Sequence, residues 1–154
     1  MEYTVRAARI TDIDRFVALS GDRIGARGSG TALDAADLLR QLVYLPHASV
    51  LVAERRREIV GGAVLAIRPS VQAGGYVGTI DLLVVAPSAD ADAVTEALLV
   101  EILRSAANKG CASIEAPRPD DPGERIRWEH EGFAELGPRM GRPLAPAGAG
   151  GRPR

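Results

Sequence analysis

The chain has 154 residues, 46% apolar and 25% charged; this is the size and make-up of one domain with a real core, and it excludes a wholly disordered chain or two full domains. Nineteen Lys and Arg against twenty Asp and Glu leave a formal charge of -1, without the basic excess of a generic nucleic-acid binder. One cysteine, Cys111, and two histidines, His47 and His130, exclude an internal disulfide or a multi-thiolate metal site and leave little for zinc.

Tyr3 to Ala8 alternates as a short strand, with Tyr3, Val5 and Ala7 on one face. Thr11 reads as the cap of a helix from Asp12 to Ser20 that buries Ile13, Phe16, Val17 and Leu19, with Asp14 at the capping-box position. Gly21 to Gly30 is a loop without apolar period. Asp34 or Thr31 caps a second helix ending near Leu45, with a stripe of Leu38, Leu39, Leu42 and Leu45.

Ser49–Glu54 and Ile59–Arg68 flank Arg55-Arg56-Arg57-Glu58 and read as a hairpin with a solvated, charged turn. A strand follows from Tyr76 to Val85, then a helix from about Asp90 to Asn108 with one broad apolar face. Lys109, the only lysine, and Gly110 end it as a C-terminal charge and a left-handed cap. Cys111–Ala116 reads as a buried strand, Glu124–Glu131 as a short helix and Phe133–Leu136 as the start of a last strand that continues beyond Pro138. Residues 145–154 read as a mobile tail after a single domain over 1–144. The order predicts a mixed α/β domain with one central sheet.

The start, MEYTVRAARITDIDR, has no apolar signal region, and the apolar stretch Ile80–Pro87 is too short to span a bilayer. The expectation is a soluble, cytoplasmic protein with no membrane or nucleic-acid partner.

Four segments together resemble the GNAT superfamily of acyl-CoA-dependent N-acyltransferases. VRAARITDIDRFVAL is similar to the family's first strand and helix, and VLVAERRREIVGGAVL to its second and third strands. DLLVVAP is similar to the fourth strand with its Val-x-Pro ending, and EGFAEL to the late Gly-Phe step. The resemblance covers Thr4 to about Leu144. It implies one mixed sheet of six to seven strands flanked by about four helices, and acetyl-CoA or another acyl-CoA as co-substrate. It also implies an acyl-CoA site along Leu83, Val84 and Val85 and around Ala91, Asp92, Ala93, Val94 and Thr95.

The phosphate-binding loop departs from the family's pattern. Small residues and free N–H groups at a helix start suit a diphosphate. Here Asp90 stands where the family has Arg or Gln, and Ala91, Ala93 and Thr95 stand at its small positions with Asp92 between. Each aspartate at about 6 Å from a phosphate would oppose binding by roughly 2–3 kcal/mol before screening. The same carboxylates suit a helix start, at about 0.3–1 kcal/mol each. The family's Tyr general acid and its Asn seven residues earlier fall on Trp128 and Asp121. An indole N–H donates only and cannot deliver a proton at neutral pH.

Asp81, amid TIDLLVV, is the candidate base, with Leu82, Leu83 and a buried sheet expected around it. Tyr76 and Trp128 are candidate substrate contacts. Cys111 lacks a neighbouring base and reads as an inert thiol; His130 and His47 read as surface residues. The leading function is acyl transfer to a small-molecule or protein amine. The alternatives are a catalytically impaired GNAT-like binding module, and a homodimer or tandem assembly whose partner supplies the missing groups.

Overall fold

The computed structural model describes residues 2–24, 34–137 and 140–143. Four strands come early and one late: β1 (Thr4–Ala7), β2 (Ala48–Arg55), β3 (Glu58–Ser70), β4 (Gly75–Val85) and β5 (Cys111–Glu115). The helices are α1 (Ile13–Ser20), α2 (Ala35–Leu42), α3 (Ala91–Asn108) and α4 (Pro122–His130). The sheet runs β1-β2-β3-β4-β5 in space; the first four are antiparallel and β5 is parallel to β4.

Alternation along the strands sends apolar side chains to both faces. On one face, Tyr3, Ala53, Leu65, Ile80 and Leu83 pack with Val94, Leu98, Leu99 and Ile102 of α3. On the other, Val50, Val52, Val64 and Val84 pack with Ile13 and Phe16 of α1 and Leu39 of α2. Two glycines on β3 let the helices come this close. A Cβ on Gly62 would lie 2.6 Å from the Phe16 ring, and one on Gly61 2.8 Å from Val94 Cγ1 and 3.0 Å from the Val84 carbonyl oxygen.

Several boundaries follow different chemistry from the sequence reading. Thr11 does not cap α1. A 3-10 turn, Ile10–Asp12, precedes it, and the Asp12 carboxylate accepts from the Arg9 N–H at 2.8 Å and pairs with Arg6 at 2.8 Å. The Arg6 hydrogen bonds hold the Asp12 carboxyl below its ordinary value, against the opposing effect of burial. Asp34 caps α2, accepting from the Asp37 N–H; Thr31, Gly25–Gly30 and the expected tail at 145–154 lie outside the described residues. Of the α2 stripe only Leu39 is buried; Leu38 and Leu45 are exposed. Lys109 and Gly110 do end α3, with Gly110 at φ +83° and Lys109 Nζ donating to the Pro46 carbonyl at 2.9 Å.

Five strands form among the described residues, not six to seven. Phe133–Leu136 makes no ladder. The Phe133 N–H donates to the Trp128 carbonyl at 3.2 Å, and Glu135 pairs with Arg118 at 2.8 Å. The chain beside it carries Pro117 and Pro119, which have no N–H to give. Without a strand outside it, β5 is a half-exposed edge rather than the buried strand expected.

The β2–β3 turn closes with Arg55 opposite Glu58 and places Arg56 at φ +53° and Arg57 at φ +69°. Two left-handed residues give the twist that a two-residue hairpin needs, but the position suits Asn-Gly rather than Arg-Arg. Arg56→Asn with Arg57→Gly should raise stability by about 1–2 kcal/mol, read as a rise of several degrees in the thermal midpoint. Gly62→Ala should lower the urea-unfolding free energy by about 1–3 kcal/mol, because the Phe16 ring has no room to move. An unchanged midpoint would show that α1 is not seated on that glycine.

Candidate functional site

The site begins where β5 ends and leaves one edge of β4 bare. Their pairing runs from Tyr76 opposite Cys111 to Thr79 opposite Glu115 and stops there. β4 continues to Val85, paired only with β3. From Ile80 onward its other edge has no strand partner among the described residues, because β5 itself ends at Glu115.

Main-chain alternation decides which groups face that edge. The Ala86 N–H donates to the Val60 carbonyl at 2.8 Å, which turns Val84, opposite Gly62, toward β3 as well. Leu83 and Val85 therefore present their N–H and C=O groups to the open edge. Of the three residues expected to contact an acyl-CoA, Val84 keeps its main chain in the ladder. Arg23, in the 3-10 turn Gly21–Arg23 after α1, donates from Nη1 to the Leu83 carbonyl at 2.8 Å.

The β3–β4 register slips between Val64 and Leu65, so that Leu82 and Ile80 are paired and Asp81 is the extra residue. A bulge of this kind re-aims a side chain while the strand on either side stays in register. Leu82 stays on the α1–α2 face and Ile80 on the α3 face. Asp81 is exposed. The burial expected around it is absent, so its candidacy as a base rests on position at the bulge alone.

The start of α3 caps itself. Asp90 accepts from the Ala93 N–H at 3.2 Å, and its own N–H donates to the Tyr3 hydroxyl at 3.3 Å. The Val94 N–H already serves the Asp90 carbonyl. Among the described residues this leaves the N–H groups of Ala91 and Asp92 as the open donors of the first turn. The side chains of Val94 and Thr95 are buried, and Ala91 and Ala93 are partly exposed. Asp92 forms an ion pair with Arg127 on α4, and that hydrogen bond raises the already high basicity of the guanidinium.

The two expected substrate contacts do not join this site. Tyr76 is half-exposed at the closed end of the β4–β5 ladder, five residues or about 17 Å of strand from Asp81. Trp128 is buried in the α3-side core, edge-on to Phe133 with ring centres 5.1 Å apart. Asp121 caps α4, accepting from the Glu124 N–H. His47 and His130 are exposed. Burial pushes the Cys111 thiol up, as expected of an inert one. Sequence reasoning missed Arg23 and Arg127. Arg23 sits among glycines with no pattern to single it out, and Arg127 meets a partner 35 residues away.

Among the described residues no group of three or more His, Cys, Asp or Glu can hold a metal ion, and no helix is long and apolar enough to cross a membrane. No family model matches the chain, and no curated protein matches it in sequence. Solved structures do match. A transcriptional regulator from Bacillus halodurans C-125 superposes with a TM-score of 0.74 at 19% identity, covering 91% of this chain and 99% of that one. A Trypanosoma brucei acetyltransferase gives 0.71 at 22%, over 92% and 99%. Glucosamine-6-phosphate N-acetyltransferase from Arabidopsis thaliana gives 0.72 at 16%, over 94% and 100%. The fold is that of the GNAT acetyltransferases.

Proposed function

We propose that the protein is an N-acyltransferase that moves an acetyl group from acetyl-CoA to an amine. The observation that carries this reading is the open edge of β4 from Ile80 to Val85, with a bulge at Asp81 and the start of α3 just beyond. In the GNAT acetyltransferases this is where acyl-CoA lies, and the GNAT-like fold supports placing it here.

The chemistry needs little from side chains. The thioester supplies an activated acyl group. The Leu83 or Val85 N–H, fixed by the sheet, can polarise its carbonyl at no reorganisation cost. The Ala91 and Asp92 N–H groups can meet phosphate oxygens at the helix start. Asp81, exposed at the bulge of β4, can take the proton that the acceptor ammonium must lose before its nitrogen bonds to the acyl carbon. As that bond forms, the carbon–sulfur bond breaks, the CoA thiolate leaves, and the nitrogen gives up its second proton to solvent to become the neutral amide. Among the described residues no side chain takes the place of the family's tyrosine acid, so on this reading the thiolate draws its proton from solvent.

A second reading is favoured by the start of α3. The Asp90 cap and the Asp92–Arg127 pair satisfy groups that a diphosphate would otherwise use. This supports a GNAT-like binding module whose phosphate loop is closed from within.

Two measurements separate the readings. Asp81→Asn should lower turnover with acetyl-CoA by on the order of 10²-fold while leaving the thermal midpoint close to wild type. Full activity would place amine deprotonation in solvent. Asp90→Arg with Asp92→Gly should tighten acetyl-CoA binding by about 2–4 kcal/mol in calorimetric titration. It should also lower the stability of the ligand-free protein by about 1 kcal/mol, since a cap and a dipole partner are lost. Low-micromolar binding by the wild type, unimproved in the double variant, would remove the case for a closed loop.

A further inference from the structure

The chain pairs Arg6 with Asp12, Arg40 with Asp14, Arg104 with Glu101 and Arg127 with Asp92. Arg23 differs. It is exposed, and among the described residues its partner is a neutral carbonyl, that of Leu83, with no carboxylate. That bond uses one of its five N–H donors. The guanidinium is thus fixed at the open edge of β4 with its charge uncompensated and most of its donors unspent. Among the described residues its hydrogen-bond partner lies 60 residues away in sequence.

Asp81 stands two residues before Leu83, about 7 Å along the strand. It too is exposed and has no cationic partner among the described residues. The two charges do not meet each other in an ion pair. The open edge therefore offers a carboxylate at the bulge and a planar cation beside it.

We infer that Arg23 is a specificity-determining residue that selects acceptors carrying an anionic group, a carboxylate or a phosphate, on the same molecule as the reactive amine. Asp81 faces the ammonium, and Arg23 takes the anion in the fork geometry that guanidinium shares with carboxylate and phosphate. Anionic oxygens at Arg23 leave the amine held on the bulge side, next to the reacting edge. This deepens the acyltransferase reading and rests on it.

The experiment uses two matched probe pairs: L-lysine against 1,5-diaminopentane, and O-phosphoethanolamine against ethanolamine. Binding of each to the full chain is measured calorimetrically, and acetyl transfer is followed by thiol release. Wild type should favour the anionic member of at least one pair by about 10-fold or more, in Kd and in kcat/KM, the scale of one charge-assisted hydrogen bond. Arg23→Gln, which keeps an N–H for the Leu83 carbonyl, should bring that ratio close to one; Arg23→Lys should keep part of it. No anionic preference in either pair, or a preference that survives Arg23→Gln, would overturn the inference. A loss in Arg23→Gln that falls on CoA affinity and not on the acceptor ratio would also overturn it, by assigning the cation to CoA phosphates. Preferential binding of an anionic probe without acyl transfer by a chain that binds no acetyl-CoA would retain Arg23 as an anion site and sink the acyltransferase reading instead.

Discussion

Two adjacent glycines on β3 hold the whole arrangement in place. Gly61 and Gly62 face opposite sides of the sheet, and each lets a helix touch backbone that any side chain would cover. Val94, in the first turns of α3, rests on one; Phe16, in the middle of α1, rests on the other. Close packing leaves no slack for either helix to lift. The start of α3 is thereby fixed at the end of β4, and the end of α1 delivers Arg23 to the opposite side of the same strand. Both ends of the candidate site are thus set by one dipeptide that carries no functional group.

The bulge at Asp81 solves a different problem. A strand between two apolar layers must keep strict alternation, since a slip of one residue would send every apolar group to the wrong face. Inserting a charged residue in such a strand would bury a carboxylate. The bulge removes Asp81 from the count, so Ile80 and Leu83 stay on the α3 face and Leu82 and Val84 on the other. The sheet keeps its core, and the carboxylate is left in water at the point where β4 loses its neighbour.

Much of this was legible in the sequence. The long strands and α3 announce themselves by period, and the Arg55–Glu58 turn by its charge between two apolar runs. The self-capping aspartate at Asp90 follows from its place before an apolar helical stripe. What stayed hidden depends on contacts between distant residues. Alternation in TIDLLVV does not reveal a bulge, because the extra residue is defined by the register of β3. The strand expected at Phe133 carries the right residues but lies against a segment broken by Pro117 and Pro119. The Trp128 position is occupied as packing, and only its ring contact with Phe133 shows that. Thr11 has the chemistry of a cap, yet Asp12 wins because Arg6 and the Arg9 N–H both reach it.

One lysine stands in the sequence against eighteen arginines, and its ammonium is spent on tying the end of α3 to the Pro46 carbonyl. Guanidinium is not a nucleophile at neutral pH, because it stays protonated. The acyl transfer proposed above would meet a single amine side chain on such a surface, and that amine is engaged in a structural bond. Acylating Lys109 would remove its charge and loosen the tie between α3 and the approach to β2. The arginine-rich surface thus offers the thioester proposed as co-substrate one amine side chain.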